Sequence, residues 1–136
     1  MSSTVRSRAA RALAILAAVF WSPVAMAADA DRIEAAEAKQ VVEKGQAMVI
    51  DVRSKDAFDM SHIEGAISVP LGELEARMGE LPKDKMIVAY CTCGGEASSL
   101  GAVTKLKAAG YTKVAALKGG LSAWQTAGGK VTALPH

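Results

Sequence analysis

The sequence between residues 86 and 97 restricts the possible folds more than any other segment does. An apolar run over residues 86–89 is followed by both cysteines of the chain, two glycines and a helical pattern that begins at Ala97. The apolar run is typical of a buried strand. A strand, a glycine-bearing loop and a helix start direct backbone N–H groups and the positive end of the helix toward the loop. We therefore expect this loop to stabilise the thiolate of the cysteine at its head, Cys91.

The rest of the sequence alternates between patterns typical of strands and helices. Besides residues 86–89, short apolar runs predict strands over residues 47–52, 67–69 and 114–117. Helices are predicted over residues 34–44, 54–60 and 71–81, from residue 97 to about 109, and around Trp124. Residues 61–66 are interpreted as a tight connection, and the residues after Gly129 as a short tail. This alternation predicts a single α/β domain with a central parallel sheet flanked by helices.

The first 27 residues have the pattern of a secretory signal peptide. A basic start precedes an apolar run over residues 12–21, which is followed by Pro23 and by small residues at a cleavage site, 25–27. The apolar run is too short to anchor the chain in a membrane. We therefore expect residues 1–27 to be removed and residues 28–136 to form one exported domain, periplasmic or secreted, with no membrane attachment after cleavage.

Loss of this segment also changes the charge of the protein. The full chain has 16 basic and 14 acidic residues, but three arginines, Arg6, Arg8 and Arg11, lie in the signal segment. The remaining 13 basic and 14 acidic residues give a net charge of −1. With no basic patch left, we expect no nucleic-acid partner. In an oxidising compartment, two nearby cysteines would tend to oxidise.

Two further charged residues stand where a parallel sheet places its functional groups. Asp51 and Arg53 occur at the end of a predicted strand, and the carboxyl ends of parallel strands carry the binding sites of open α/β sheets. We therefore expect them to support the site. His62 is interpreted as a structural hydrogen-bonding residue and Trp124 as core or pocket wall. The spacing of the two cysteines and two histidines does not favour a zinc site, so no metal is expected.

Four motifs in this order resemble those of the single-domain rhodaneses. They are residues 49–53 (VIDVR), 62–70 (HIEGAISVP), 87–91 (IVAYC) and 118–124 (KGGLSAW). The resemblance extends over about residues 33–129. It implies a single rhodanese-like domain and a sulfurtransferase in which Cys91 takes up sulfane sulfur as a persulfide. The donor would be a small molecule or a protein-bound sulfur, the acceptor a thiol or cyanide, and no cofactor is expected.

The resemblance also assigns the loop that would hold the persulfide. Such a group needs several N–H donors around its terminal sulfur. The residues expected to form this loop are Thr92, Cys93, Gly94, Gly95, Glu96 and Ala97.

Two residues of this loop depart from the family's pattern. Thiosulfate users of the family usually carry an arginine at the position of Glu96. A carboxylate facing the sulfur would disfavour thiosulfate by about 3 kcal/mol per unit charge at roughly 6 Å. If Glu96 instead points outward, it complements the helix dipole. Cys93 could be a resolving thiol that forms a disulfide with Cys91, a protector against overoxidation, or a small loop residue.

These departures leave two alternatives to a sulfurtransferase. One is a thiol–disulfide oxidoreductase that uses Cys91 and Cys93. The other is a non-catalytic, sulfur-binding regulatory domain.

Overall fold

Seven strands occur in the residues that the structure, a computed structural model, describes, which are 31–92 and 96–135. They are β1 (Arg32–Ile33), β2 (Ala47–Asp51), β3 (His62–Ile63), β4 (Ile67–Ser68), β5 (Met86–Tyr90), β6 (Val114–Leu117) and β7 (Val131–Thr132). Five of them form a parallel sheet in the order β1-β6-β5-β2-β4, while β3 and β7 pair antiparallel beside it. The predicted signal peptide and residues 93–95 lie outside the described residues.

Five α-helices flank the sheet. They are α1 (Ala35–Glu43), α2 (Lys55–Met60), α3 (Leu74–Arg77), α4 (Ala97–Ala108) and α5 (Gly120–Thr126). The predicted α/β class, with helices around a central parallel sheet, is thereby confirmed. In the described part of the chain, no helix is long and apolar enough to cross a membrane.

The two faces of the sheet belong to separate hydrophobic clusters. Successive strand residues point to opposite faces, so Ile87 and Ala89 of β5 pack with Leu106 of α4 on one face. Val88 and Tyr90 of the same strand pack on the other face, with residues of α1 and α5. Because β5 is buried on both faces, its sequence is a continuous apolar run without alternation.

The strand register determines where the candidate nucleophile lies. Asp51, the last residue of β2, pairs with Tyr90, the last residue of β5, and with Ser68 of β4. The carboxyl ends of these three parallel strands therefore meet at one edge of the sheet. Cys91 follows Tyr90 directly, so it lies at this edge, where parallel sheets place their ligands.

The continuous helix predicted over residues 71–81 is wrong. Residues 71–81 form two 3₁₀ turns, Leu71–Glu73 and Met78–Glu80, with only the short α3 between them. Two glycines in the segment weaken a helix. The hydroxyl of Tyr111 also lies 2.6 Å from the carbonyl oxygen of Met78 and 2.9 Å from that of Leu81. This distant side chain therefore binds carbonyl groups at the end of the segment, where it turns toward β5.

Three short strands were not predicted. β3 lies within the expected tight connection, and β7 lies within the expected tail. A hydrogen bond of 3.0 Å from the Glu64 N–H to the Lys130 carbonyl oxygen extends their pairing. β1 precedes the first helix and pairs with β6. All three are two residues long, which is too short for a periodic pattern.

Candidate functional site

Cys91 is a buried thiol at the carboxyl end of the central strand β5. It is 3% exposed and packs with the hydrophobic cluster on the α4 face of the sheet. The sequence brings it there because strand alternation puts residues 87, 89 and 91 on the same face. The exposed Thr92 follows, and α4 begins at Ala97, as the sequence predicts. The predicted loop residues Cys93, Gly94 and Gly95 lie outside the described residues.

Ser99 is a neighbour of Cys91 that the sequence reasoning missed. It is the third residue of α4 and fully buried, and its Oγ lies 3.7 Å from Cys91 Sγ, which donates to it. The same hydroxyl donates to the carbonyl oxygen of Glu96 at 3.0 Å. The available signal was a serine in the first turn of the helix that follows a candidate nucleophile. Among the described residues, Ser99 is the side chain that hydrogen-bonds the sulfur.

Glu96 makes two hydrogen bonds that the sequence reasoning did not predict. It directly precedes α4 in the left-handed conformation, at φ 56°. Its Oε2 accepts a bond from Arg32 Nε at 2.9 Å, and its Oε1 accepts one from the Gly119 N–H at 2.9 Å. The Gly119 N–H, followed by the Arg32 guanidinium, holds the pKa of Glu96 below its ordinary value. Glu96 therefore joins the end of the loop to β1 and to the start of α5, and its charge is paired.

The turn into α5 lies directly against the backbone of Cys91. Gly120 has φ +59°, and a Cβ at this position would lie 2.0 Å from the Cys91 carbonyl oxygen. Only glycine allows both this conformation and this close approach. The glycine pair in the 118–124 motif therefore has a physical role, because α5 can approach the candidate nucleophile only without a side chain at position 120.

Asp51 and Arg53, which the sequence assigned to support the site, form an ion pair on the opposite face of the sheet, in which Asp51 is fully buried and Arg53 partly buried. Arg53 Nη2 lies 2.6 Å from Asp51 Oδ2 and also donates to the Ser61 carbonyl oxygen at 2.6 Å. The Tyr90 hydroxyl donates to Asp51 Oδ2 at 2.7 Å and accepts from the Ile63 N–H at 3.0 Å. This network ties β2, β3 and β5 together beneath the site.

The charges of this network agree with a structural role. The hydrogen bond from Arg53 to the Asp51 carboxylate raises the pKa of Arg53. Burial, together with the neighbouring Asp51 carboxylate, raises the pKa of Tyr90. The hydroxyl therefore remains protonated and keeps donating to Asp51. The hydrogen bonds of this network connect the end of β5 to β2 and β3 and so position it.

The side chains of His62 and Trp124 also make structural contacts. His62 is buried, stacks on Phe58 and places Nδ1 2.7 Å from the Phe58 carbonyl oxygen, in agreement with the structural role predicted for it. Trp124 belongs to the cluster on the α5 face, and its Nε1 donates to the Lys130 carbonyl at 3.0 Å. Within residues 31–92 and 96–135, no group of three His, Cys, Asp or Glu side chains is arranged to hold a metal ion.

Comparisons with known proteins agree on one family. Residues 34–127 match the model of the rhodanese-like domain. The HTH-type transcriptional regulator Rv0324 of Mycobacterium tuberculosis is 37% identical over 98 residues, which is 72% of this chain and 43% of the regulator. A sulfurtransferase of Allochromatium vinosum is 35% identical over 77 residues, 57% of this chain and 70% of that protein. The chain thus spans less than half of the regulator's length.

A solved structure has the same architecture. The rhodanese-like domain of the Alr3790 protein from Anabaena, determined by solution NMR, has a TM-score of 0.67 and is 31% identical. The alignment covers 76% of this chain and 80% of that domain.

Proposed function

The chain belongs to the rhodanese-like domain family, and from this membership we propose that it is a sulfurtransferase whose nucleophile is Cys91. Relatives of the chain include sulfurtransferases, which supports sulfur transfer in general. The observation that carries the finer proposal is the position of Cys91. Its thiol lies at the carboxyl end of the central strand, next to the first turn of α4, where helix N–H groups favour an anionic sulfur.

The proposed reaction consists of two displacements at sulfur. In the first, the lone pair of the Cys91 thiolate forms an S–S bond with the outer sulfur of the donor. The donor's own S–S bond breaks, and its electron pair leaves with sulfite from thiosulfate or with a thiolate from a persulfide. In the second, the acceptor attacks the terminal sulfur, and the electron pair of the broken S–S bond returns to Cys91. Electrons balance without a cofactor, an oxidant or a reductant.

The proposed partners follow from this chemistry. The donor is a small-molecule or protein-bound sulfane sulfur, and the acceptor is a thiol or cyanide. We also propose that the chain acts after export, as a periplasmic or secreted protein, because residues 1–27 have the pattern of a signal peptide. The residues that match the family model begin shortly after this segment, at residue 34.

One experiment tests the carrier and the export together. The full chain is expressed in a bacterial host and recovered from the periplasm, and its intact mass is compared with those of the Cys91→Ser and Cys93→Ser proteins. We expect a chain that starts at Ala28 and carries the mass of one additional sulfur, which cyanide removes as thiocyanate. Sulfur that is lost in Cys91→Ser and present in Cys93→Ser would assign the carrier to Cys91.

Other outcomes would favour the alternatives. A disulfide between Cys91 and Cys93 that turns over with dithiols, without cyanide-removable sulfur, would indicate a thiol–disulfide oxidoreductase. Bound sulfur that no acceptor removes would indicate a regulatory domain. A mature protein that still begins at Met1 would overturn the export proposal and leave the chemistry of Cys91 to be judged separately.

A further inference from the structure

The hydroxyl of Ser99 lies within hydrogen-bond distance of two groups, the Cys91 sulfur and the Glu96 carbonyl oxygen. On one side, Cys91 Sγ lies 3.7 Å away; on the other, the carbonyl oxygen of Glu96 lies 3.0 Å away. Ser99 is fully buried, so water does not offer its hydroxyl another partner. A hydroxyl has one proton to donate and two lone pairs with which to accept. At any one time, the Ser99 hydroxyl can therefore donate its single proton either to the Glu96 carbonyl or to the Cys91 sulfur.

The protonation state of Cys91 decides between these two partners. A thiol donates its own proton to Ser99 Oγ, and the Ser99 proton is then directed at the Glu96 carbonyl, as in this structure. A thiolate has no proton to donate and is a charged acceptor. Hydrogen bonds to charged groups are roughly twice as strong as those between neutral groups. Rotation of the Ser99 O–H toward the sulfur is therefore favoured once Cys91 is ionised.

We propose that Ser99 is a catalytic residue of the sulfur-transfer reaction, and this inference rests on the function proposed above for Cys91. Its hydroxyl donates to Cys91 Sγ whenever that atom carries negative charge, which happens before the first displacement and at the end of the second. Ser99 transfers no proton, because the thiol proton leaves to solvent and the Ser99 proton only changes its hydrogen-bond acceptor. The Glu96 carbonyl accepts the hydroxyl again when Cys91 is reprotonated.

The two displacements should depend on Ser99 to different degrees. In the second displacement, Cys91 is the leaving group, and a donor at Sγ stabilises the developing thiolate. In the first displacement, the same bond makes the thiolate more abundant but also less nucleophilic, and these effects partly cancel. A residue that only supports the fold would slow both displacements alike.

The first test is a titration of the Cys91 thiolate by its ultraviolet absorbance, in the Cys93→Ser background so that one cysteine titrates. We expect Ser99→Ala to move the midpoint upward by about one pH unit, a tenfold loss of thiolate at a given pH that corresponds to about 1.36 kcal/mol. Ser98→Ala is the matched control, since Ser98 is a partly exposed serine in the same helical turn. Equal midpoints in the two alanine variants would overturn the proposal.

The second test measures the two displacements separately in single turnovers, above the midpoint of each variant. At these pH values the thiolate is already fully formed, so only its nucleophilicity and its quality as a leaving group change. Ser99→Ala should therefore slow the release of sulfur to cyanide several-fold, up to about tenfold, while loading from a persulfide donor stays the same or becomes slightly faster. Equal slowing of both steps would overturn the proposal. If the unsubstituted protein carries no sulfur, the proposed function fails, but the titration still decides whether Ser99 stabilises the thiolate.

A third measurement needs no substitution at position 99 and so does not depend on how that variant folds. Isotope-labelled serine is followed by NMR while Cys91 is titrated. We expect the Ser99 signal to shift with the same midpoint as the thiolate absorbance, because the hydroxyl changes its acceptor. A Ser99 signal that does not respond to this ionisation would overturn the proposal.

Discussion

Replacing Gly120 with alanine should destabilise the protein and displace its candidate nucleophile. Gly120 has φ +59°, and a side chain in the left-handed region costs roughly 1–2 kcal/mol. The added Cβ would also lie 2.0 Å from the Cys91 carbonyl oxygen, whereas an ordinary contact begins at 3.4 Å. The two groups must therefore separate by about 1.4 Å, the difference between these distances.

A matched variant isolates the effect of the close contact. Gly45 also has a positive φ, +70°, but a Cβ there would meet no atom within 4 Å. Gly45→Ala should therefore lose only the roughly 1–2 kcal/mol of backbone strain. Forcing extra volume into a packed site adds typically 1–3 kcal/mol, so Gly120→Ala should lose about 2–5 kcal/mol in total. Urea unfolding of both proteins measures this difference.

The same pair of variants tests whether the contact positions the sulfur. A misplacement of about 1 Å near a reacting atom can lower a rate roughly 100-fold. Under conditions in which both variants are folded, Gly120→Ala should lose sulfur-transfer activity on this scale, while Gly45→Ala retains it. If the two variants have the same unfolding free energy and the same activity, α5 does not hold Cys91 in place, and the reasoning is refuted.

Two further predictions concern the charged residues. Asp51→Asn should lower the free energy of unfolding by about 2–3 kcal/mol because it removes the buried carboxylate that pairs with the partly buried Arg53 guanidinium. Asp59→Asn, which breaks an exposed pair with Lys55, should lose at most about 1 kcal/mol in the same urea assay. Because the pKa of Glu96 is lowered from 4.5, its ionised form stabilises the protein above about pH 4.5, and this contribution disappears as the pH falls through the lower, folded-state pKa. The stability difference between the unsubstituted protein and Glu96→Gln should shrink over that acidic range, and a pH-independent difference would contradict the stabilisation of this carboxylate by the Gly119 N–H and Arg32.

The elements predicted correctly are those whose signal is local. The three central strands were found because burial on both faces makes them continuous apolar runs, as in residues 86–90. The start of α4 at Ala97 followed from the loop before it. The predicted helix over residues 71–81 is broken into turns, in part because Tyr111, 30 residues farther along the chain, binds the carbonyl of Leu81. No periodicity within the segment could contain that information.

The candidate site also contains residues that local sequence predicts and contacts that only the packed fold creates. Cys91 could be placed at the carboxyl end of a strand because strand and loop are adjacent in sequence. The pairing of Glu96 with Arg32 could not be foreseen, because 64 residues separate them and the short β1 that carries Arg32 was not recognised. The contact between Ser99 and Cys91 depends on how α4 turns back over the strand end. Such geometry follows from the packed fold and leaves no spacing rule in the sequence.

The pairing of Glu96 changes the argument about the sulfur donor. The sequence-based expectation treated its carboxylate as an uncompensated charge, which would repel an anion at roughly 6 Å by about 3 kcal/mol per unit charge. In the structure, Arg32 lies 2.9 Å from this carboxylate and offsets much of that repulsion. Residue 96 also accepts the Gly119 N–H, a bond that an arginine could not replace. The arginine that thiosulfate users of the family usually carry here would therefore face Arg32 and leave the turn into α5 without its acceptor. Residues 32 and 96 thus form one unit, and the charge that a donor meets at the loop is set by both of them.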